Sequence, residues 1–453
     1  MSARKRIVVV GGDAAGMSAA STAKRAEGDD VEVIAFERGQ WTSYSACGIP
    51  YWIGGEVGSE HDLIARTPEE HRRRGIDVRL GTTVTGIDLD AGSVRVRDSE
   101  GGERDHGYDD VVIATGAAPM VPNVPGVDAA GIHVVHTIDD GTRVLDDLDR
   151  TSPQRVVVVG GGYVGIEMAE ASVHRGIDTT LLTRSGTPMT SLDPDVGKLV
   201  HEALERDGIA VRVSSPARGF ATEGGRVTAV ETDDGAVPAD LVILGVGVAA
   251  RSDIARDAGL PVGDSGGIRV DSRQRVDPDR HVWAAGDCVE TLHRISQRQV
   301  YIPLGTHANK QGLVLGRNLI GNTTEFPGVL GTAITKACSS EIARSGLGES
   351  EARDAGFDVE TISIDNTTRA GYFPGAEPMT IKMVASRRDR RLLGAQILGG
   401  TGAGKRIDTV ATALWGGFTV DEVMFSDLSY APPFSGVWDP VQVAARALSS
   451  RLG

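Results

Sequence analysis

This sequence predicts an α/β fold in which one βαβ unit is inserted into another, followed by an α+β domain. Three observations carry the prediction. First, apolar runs of the buried parallel-strand type stop at glycine three times: Ile7–Val10 before Gly11, Val156–Val159 before Gly160, and Val282–Ala285 before Gly286. Second, the first two runs lead through a helix-like stretch into another strand, Val31–Phe36 and Thr179–Leu182. Third, Val111–Ala114 and Leu241–Leu244 are further strands that end near glycine, one following each unit.

The repetition places one Rossmann-like unit inside the other. Pro119–Pro125 reads as the first crossing and Ala249–Asp264 as the return. The expected domains are 1–120 and 249–327 for the outer unit and 121–248 for the inserted one. After Phe326-Pro327-Gly328 the pattern changes to strands at Thr361–Ile364, Met379–Val384 and Leu392–Ile397, then a helix over Lys405–Trp415. Residues 328–453 are therefore expected to form the α+β domain.

The length of 453 residues suits roughly two to four domains. Lys and Arg number 47 against 62 Asp and Glu, a net charge of −15. That balance disfavours nucleic acid and anionic membranes as partners. Three cysteines, Cys47, Cys288 and Cys338, are too few for a disulfide framework, and no spacing suits a metal. A reducing cytoplasm is the expected location. The basic start Arg4-Lys5-Arg6 precedes an apolar run too short for a signal peptide. No run approaches the roughly 18 apolar residues of a membrane span.

The first glycine cluster is Gly11-Gly12-Asp13-Ala14-Ala15-Gly16, with Met17–Arg25 as the following helix. Asp13 stands where the G-x-G-x-x-G pattern has the glycine that lets backbone approach a pyrophosphate. A carboxylate there repels phosphate unless its side chain turns away. Glu37 ends the second strand, where an acid can accept both ribose hydroxyls of an adenosine. The second cluster, Gly160-Gly161-Gly162-Tyr163-Val164-Gly165, is an unbroken fingerprint before a helix N-terminus that can hold a pyrophosphate. Its ribose position reads Thr183-Arg184-Ser185, with no acid. A neutral residue followed by Arg and Ser can take a 2′-phosphate, so NADPH is expected and NADH remains possible.

Two dinucleotide units suggest two different dinucleotides. Ala284-Ala285-Gly286-Asp287-Cys288 runs a strand into Gly-Asp at a helix start, which places Asp287 to hydrogen-bond a flavin's ribityl chain. Cys47, in Ser43-Tyr44-Ser45-Ala46-Cys47-Gly48-Ile49-Pro50, lies beyond the first unit. A redox dithiol would need a second cysteine five residues on, and that position is Trp52. A lone thiol beside a flavin points to a mixed disulfide or an oxidised sulfur. Cys288 and Cys338 read as packed core thiols.

The ordered set of Gly11–Gly16, Glu37, Ala114-Thr115-Gly116, Gly160–Gly165 and Gly286-Asp287 resembles the flavoprotein pyridine nucleotide-disulfide oxidoreductases over essentially the whole chain. The single cysteine is similar to that of the branch holding coenzyme A-disulfide reductases and NAD(P)H oxidases or peroxidases. Tyr430-Ala431-Pro432-Pro433-Phe434-Ser435, Ala370–Gly375 and Lys405-Arg406-Ile407-Asp408 resemble segments of the coenzyme A-disulfide reductases.

The resemblance implies FAD and NAD(P) domains, a C-terminal dimerisation domain, and a homodimer with shared active sites. Tyr372 and Tyr430 would reach the partner subunit's cysteine and flavin. Gly11, Gly12, Ala15, Gly16, Glu37, Arg38, Ser43, Val84, Ala114, Thr115, Gly116, Gly286, Asp287, Thr306 and Ala308 would hold FAD. Gly160, Gly162, Tyr163, Val164, Gly165, Thr183, Arg184 and Gly247 would hold the nicotinamide dinucleotide. A coenzyme A substrate carries phosphates and needs cations, for which Arg25, Arg74, Lys405 and Arg406 are candidates, with Ser18 and Ser43 as hydroxyl donors.

No residue after His307 is a histidine. A proton donor from the last domain must therefore be another group, and a phenol is the obvious one. The expected activity is NADPH-dependent reduction of coenzyme A disulfide or a similar small disulfide through a mixed disulfide on Cys47. A low thiol pKa, supplied by the flavin site and nearby helix N-termini, is expected to make the thiolate available. Ala46 stands where the family has Asn, and Trp438 where some members have Lys, which leaves another small disulfide or a persulfide open. The alternatives are an NAD(P)H oxidase cycling Cys47 through sulfenic acid, and a nucleotide-binding redox sensor without turnover. No rhodanese-like extension follows Gly453, so a fused persulfide-reductase architecture is not expected.

Overall fold

The computed structural model describes residues 4–453. Its first sheet has six strands in the order Arg275–Asp277, Val282–Ala284, Asp110–Ile113, Lys5–Val10, Val31–Phe36 and Ile76–Arg79. All neighbours are parallel except the first pair. Val8, Val9, Val111, Val112 and Ile113 are wholly buried, which explains their unbroken apolar runs. A second, all-parallel sheet runs Ile209–Arg212, Asp178–Leu182, Arg155–Val159, Leu241–Leu244 and Ile132–Val134.

The chain passes between these sheets twice. At the crossing, Ala117–Pro119 pairs antiparallel with Val248–Ala250. Each sheet also carries a three-stranded antiparallel meander, at residues 83–107 and 219–238. Sequence patterning did not single these out. In Ser93–Arg97 the alternation lasts only five residues, with Val94 and Val96 buried and Arg95 and Arg97 outside.

Close helix packing fixes the floor of the first unit. The helix Ala14–Glu27 lies against Gly305–Leu319. A Cβ on Gly312 would sit 2.4 Å from the Ala15 carbonyl oxygen, and one on Gly316 2.6 Å from that of Ala19. The backbones therefore meet only because both positions lack side chains.

The last domain is a five-stranded antiparallel sheet ordered Ala333–Ala337, Ser340–Gly346, Leu392–Gly399, Pro378–Ser386 and Val359–Thr367. The helices Ile407–Gly416, Val420–Met424 and Pro440–Arg451 share a core with it that includes Met383, Ile397, Val410 and Val441. The helix expected from Lys405 starts instead at Ile407, because Gly404–Arg406 is a 3₁₀ turn. Lys382 docks this domain on the inserted one. Its side chain is 6% exposed and its Nζ lies 3.1 Å from Asp193, 2.8 Å from Asp195 and 3.3 Å from Glu349. Among the described residues, no helix is long and apolar enough to cross a membrane.

Candidate active site

The carboxyl ends of the first sheet's strands meet at the glycine loop. Gly11 has φ +114°, and a Cβ there would fall 2.0 Å from the Ala114 carbonyl oxygen. The Thr115 hydroxyl donates to the Arg251 carbonyl at 2.5 Å, tying the Ala114-Thr115-Gly116 turn to the return crossing. Glu37 accepts the Gly12 N–H at 2.8 Å and the Gly39 N–H at 2.7 Å. Its carboxylate thus braces the loop from both sides. The Glu37 carbonyl accepts the N–H of Thr82, two residues before Val84. Arg38 is exposed beside it.

On the other side of this cleft, Gly286 takes φ +87° and donates its N–H to Gln311 at 2.8 Å. Burial pushes the Asp287 carboxyl up to about 6. Tyr301, whose pKa rises through burial and then the charge of Asp287, keeps a buried hydroxyl with no partner. Ala15, Gly16 and Ala308 are buried in the floor, and Thr306 is exposed in the first turn of its helix. A glycine cradle, a strand-end acid, a ribityl-type aspartate and an orphaned phenol together fit a flavin dinucleotide.

The inserted unit repeats the arrangement. A Cβ on Gly165 would lie 1.8 Å from the Gly160 carbonyl oxygen, and one on Gly160 2.2 Å from that of Gly245. Gly162 caps the helix that starts with Tyr163 and Val164, and Gly247 is exposed with φ +112°. Thr183 is buried, its hydroxyl 2.7 Å from that of Ser185, while Arg184 is exposed. The Thr183 N–H donates to the carbonyl of Arg212 on the adjacent strand at 2.9 Å. Arg212 is a second exposed cation at this strand end. Sequence reading missed it because only the strand pairing of Leu182 with Arg212 brings it there.

Cys47 is exposed in the 3₁₀ turn Ala46–Gly48, ahead of the short helix Ile49–Gly54. The helix Tyr163–His174 packs on that short helix. The chain does not lower the Cys47 pKa as expected from helix termini. Surrounding protein pushes it up, first through burial of the thiol's surroundings and then through the acids near it, Glu167, Asp287 and Asp13. Glu167 itself is pushed up to about 7, first by burial, and accepts the Thr335 hydroxyl at 2.8 Å. It is a further residue that the sequence did not flag. Its place in the helix after Gly165 was visible, but its proximity to Cys47 was not.

All three cysteines are free. Cys288 is fully buried and Cys338 half-buried at a hairpin turn, and burial pushes each thiol up to about 11.

Tyr372 and Tyr430 are exposed neighbours, 78% and 46% accessible. The packing around Tyr430 and then the adjacent Tyr372 phenol raise its pKa. Their two loops are joined by the Ala370 N–H donating to the Pro432 carbonyl. Arg406 clamps the same loops. It donates to the carbonyls of Thr368 at 2.8 Å, Phe434 at 2.5 Å and Gly402 at 2.6 Å, and pairs with Asp439 at 3.1 Å. This corrects its assignment to substrate, because nearly all its donors are committed to the fold. Lys405, exposed next to it, pairs with Asp408.

The other substrate candidates divide. Arg25 and Arg74 are exposed. Ser18 donates to Asn309 at 2.9 Å. Ser43, with φ +50°, lies 2.9 Å from Nε2 of the fully buried His71, whose pKa is lowered to about 4 by burial and then by Arg66 and Arg74. Ser43, on the loop that leads to Cys47, and Arg74, at the end of the helix Pro68–Arg73, therefore meet around His71.

The architecture is that of a flavoprotein NAD(P)H oxidoreductase with two dinucleotide-binding units and a dimerisation domain. Residues 5–312 match the family Pyridine nucleotide-disulphide oxidoreductase, and residues 332–441 match its dimerisation domain. The chain belongs to this family. It is 40% identical over 448 residues to an NAD(P)H coenzyme A polysulfide/persulfide reductase of Pyrococcus horikoshii, covering 98% of each chain. To an NADH oxidase of Methanocaldococcus jannaschii it is 33% identical, covering 99% of each. The solved NAD-dependent persulfide reductase from A. fulgidus superposes with a TM-score of 0.95 at 33% identity, over 98% of this chain and 83% of that one.

Proposed function

We propose that this protein is an NADPH-dependent reductase of a coenzyme A-linked disulfide or persulfide, working as a homodimer through Cys47. The observation that carries the reading is the lone, exposed Cys47, which stands at the meeting of the two dinucleotide units with no second sulfur beside it in sequence. The Pyrococcus relative, named for coenzyme A persulfides, supports the substrate class. Thr183, Arg184, Ser185 and Arg212 support the 2′-phosphate of NADPH.

Bound FAD and NADPH supply two electrons. The rest falls to this chain's residues. The Cys47 thiolate, left by reductive cleavage in the preceding cycle, attacks one sulfur of R–S–S–R, forming Cys47–S–S–R and expelling one thiolate. Tyr430, assisted by Tyr372, gives that leaving group a proton. The two electrons then cleave the mixed disulfide, which releases the second thiolate and restores the Cys47 thiolate. In sum, NADPH, one proton and one disulfide become NADP⁺ and two thiols. For a persulfide R–S–SH, sulfide takes the place of one of the two thiols.

Exposure of Tyr372, Phe425, Phe434 and Val437, each above 70%, supports a second copy covering this face. The tyrosines would then serve the partner's Cys47. Arg25, Arg74 and Lys405 are the remaining exposed cations for coenzyme A phosphates, with Ser18 and Ser43 as hydroxyl donors. The three unpaired cysteines favour a reducing cytoplasm.

Cys47→Ser is the test. It is expected to abolish NADPH oxidation driven by coenzyme A disulfide or persulfide while keeping flavin reduction by NADPH, and full turnover would refute the reading. The oxidase reading is favoured by the Methanocaldococcus relative. Thiol release without matching oxygen uptake supports the reductase, and oxygen uptake without thiol release supports the oxidase.

A further inference from the structure

Three buried polar side chains form one rung across the sheet of the last domain. Arg344, Gln396 and Lys382 stand opposite one another on adjacent strands. Their exposures are 9%, 2% and 5%. Gln396 is the one polar side chain in the strand Leu392–Gly399, all of which is buried. Buried polar groups need partners, and all three of these reach out of their own domain to residues 191–195 of the inserted unit.

Two of the contacts go to backbone. Arg344 donates to the Ser191 carbonyl, and Gln396 accepts the Asp193 N–H at 2.8 Å. Arg344 is itself held by Glu351 at 2.5 Å and by the Gly346 carbonyl at 2.8 Å. The Asp193 carboxylate does not cap the helix it precedes, Pro194–Arg206. It accepts the Glu349 N–H at 3.0 Å instead, beside Lys382.

The other side of this segment lies on the glycine fingerprint of the inserted unit. The Met189 N–H donates to the Gly161 carbonyl at 2.7 Å, and a Cβ on Gly161 would come within 3.2 Å of Pro188. The Thr187 carbonyl accepts the Ser185 hydroxyl at 2.7 Å, and that hydroxyl lies 2.7 Å from the one on Thr183. Met189 takes φ +53°, a left-handed backbone that a non-glycine residue keeps only where its surroundings fix it. Residues 187–193 are thus a strap between the glycine turn and the polar rung.

We propose that Arg344 and Gln396 are positioning residues for the nicotinamide dinucleotide: from the last domain they hold the strap that keeps Gly161 and Ser185 in their binding conformation. The inference rests on the reading that the inserted unit takes NADPH. A released strap leaves the groups around Cys47 in place, but the glycine turn must then be ordered at the moment of binding, which weakens the nucleotide. The coupling is reciprocal. Whatever factor undocking costs in nucleotide affinity, bound nucleotide returns as protection of the docking contacts.

Arg344→Met and Gln396→Leu are each expected to raise KM for NADPH about tenfold, the scale of one lost hydrogen bond of this kind, with kcat and the KM for the disulfide within about twofold of wild type. Arg344→Lys keeps a donor for the Ser191 carbonyl and should recover most of the loss. Ser339→Ala is the control for docking as such. The Ser339 hydroxyl bonds Asp207 at 2.8 Å, at the far end of the same helix, and its loss should leave KM unchanged. A fall in kcat with KM unchanged overturns the proposal, as does an equal rise in KM in Ser339→Ala. Hydrogen exchange of wild-type holoenzyme with and without saturating NADP⁺ decides even if the variants do not fold. The Glu349 N–H, in the last domain, should slow together with the amides of residues 160–165. Protection of 160–165 without Glu349 overturns the proposal alone. No protection of 160–165 overturns the placement of the nucleotide in the inserted unit, and the proposal with it.

Discussion

Replacing Arg184 by Ala is expected to cut the preference for NADPH over NADH without touching NADH turnover. Arg184 follows Thr183 just beyond the carboxyl end of the strand Asp178–Leu182 and is exposed, as is Arg212 on the neighbouring strand. Two unit charges about 4 Å apart interact by about 1 kcal/mol in water and about 4 kcal/mol near a protein surface. Both arginines are open to solvent, so the lower figure applies. A phosphate monoester carries nearly two charges, which gives about 2 kcal/mol for one arginine. That energy is about thirtyfold in kcat/KM for NADPH. NADH has no 2′-phosphate and should lose nothing. Arg212→Ala should repeat the effect, and the double variant should exceed either. The assay is kcat/KM for both nucleotides with the same disulfide, at low and at physiological salt. Since the screening length shortens from about 30 Å to about 8 Å between about 0.01 M and about 0.15 M, the wild-type preference should shrink with salt. Equal losses for NADPH and NADH, or a ratio indifferent to salt, would refute a charge-based reading of the phosphate.

Other predictions concern the tyrosines, the domain docking and acid stability. Tyr430→Phe and Cys47→Ser homodimers should both lose disulfide turnover, the first by about 10²-fold or more. A heterodimer of the two should recover about half the wild-type rate if the tyrosine serves the partner's cysteine, and no recovery would mean it acts within its own chain. Lys382→Met should cost about 3–5 kcal/mol in urea unfolding of the docked domains, because Asp193, with 5% side-chain exposure, loses its cation. A loss below about 1 kcal/mol would show that the pair is incidental. Asp421 is lowered to about 2 by hydrogen bonds from Arg390 and then Ser449. A depressed carboxyl contributes stability above its ordinary range and loses it as pH falls through the folded value. Asp421→Asn should therefore lower the urea midpoint at neutral pH, with the difference fading towards about pH 2, where the native carboxyl protonates. A constant difference at all pH values would count against that linkage.

Much of the scaffold could be read from local pattern. The strand Val31–Phe36 has the bounds its apolar run predicts, and Leu241–Leu244 likewise. Ile7–Val10 and Thr179–Leu182 are longer by one or two residues at their solvent ends, where Lys5, Arg6 and Asp178 join the ladder without being apolar. The meanders escaped notice because their strands are short and half-exposed. In the site, motif residues could be named because glycines that tolerate no Cβ leave a fixed spacing, as Gly11 and Gly165 do. Arg406 was misjudged because a cation in a loop looks alike whether it faces substrate or clamps four neighbours.

By itself the sequence determined the family, the two dinucleotide units and the absence of a partner cysteine beside Cys47. These follow from strand periodicity, tight turns and spacing, which are local properties of a chain. Only the tertiary structure decided which charges surround the thiol. It set Glu167 and Asp287 near Cys47, turned Asp13 towards Tyr44, and brought Arg212 level with Leu182. Proton affinity depends on burial and on neighbours distant in sequence, and those exist only once the chain has folded.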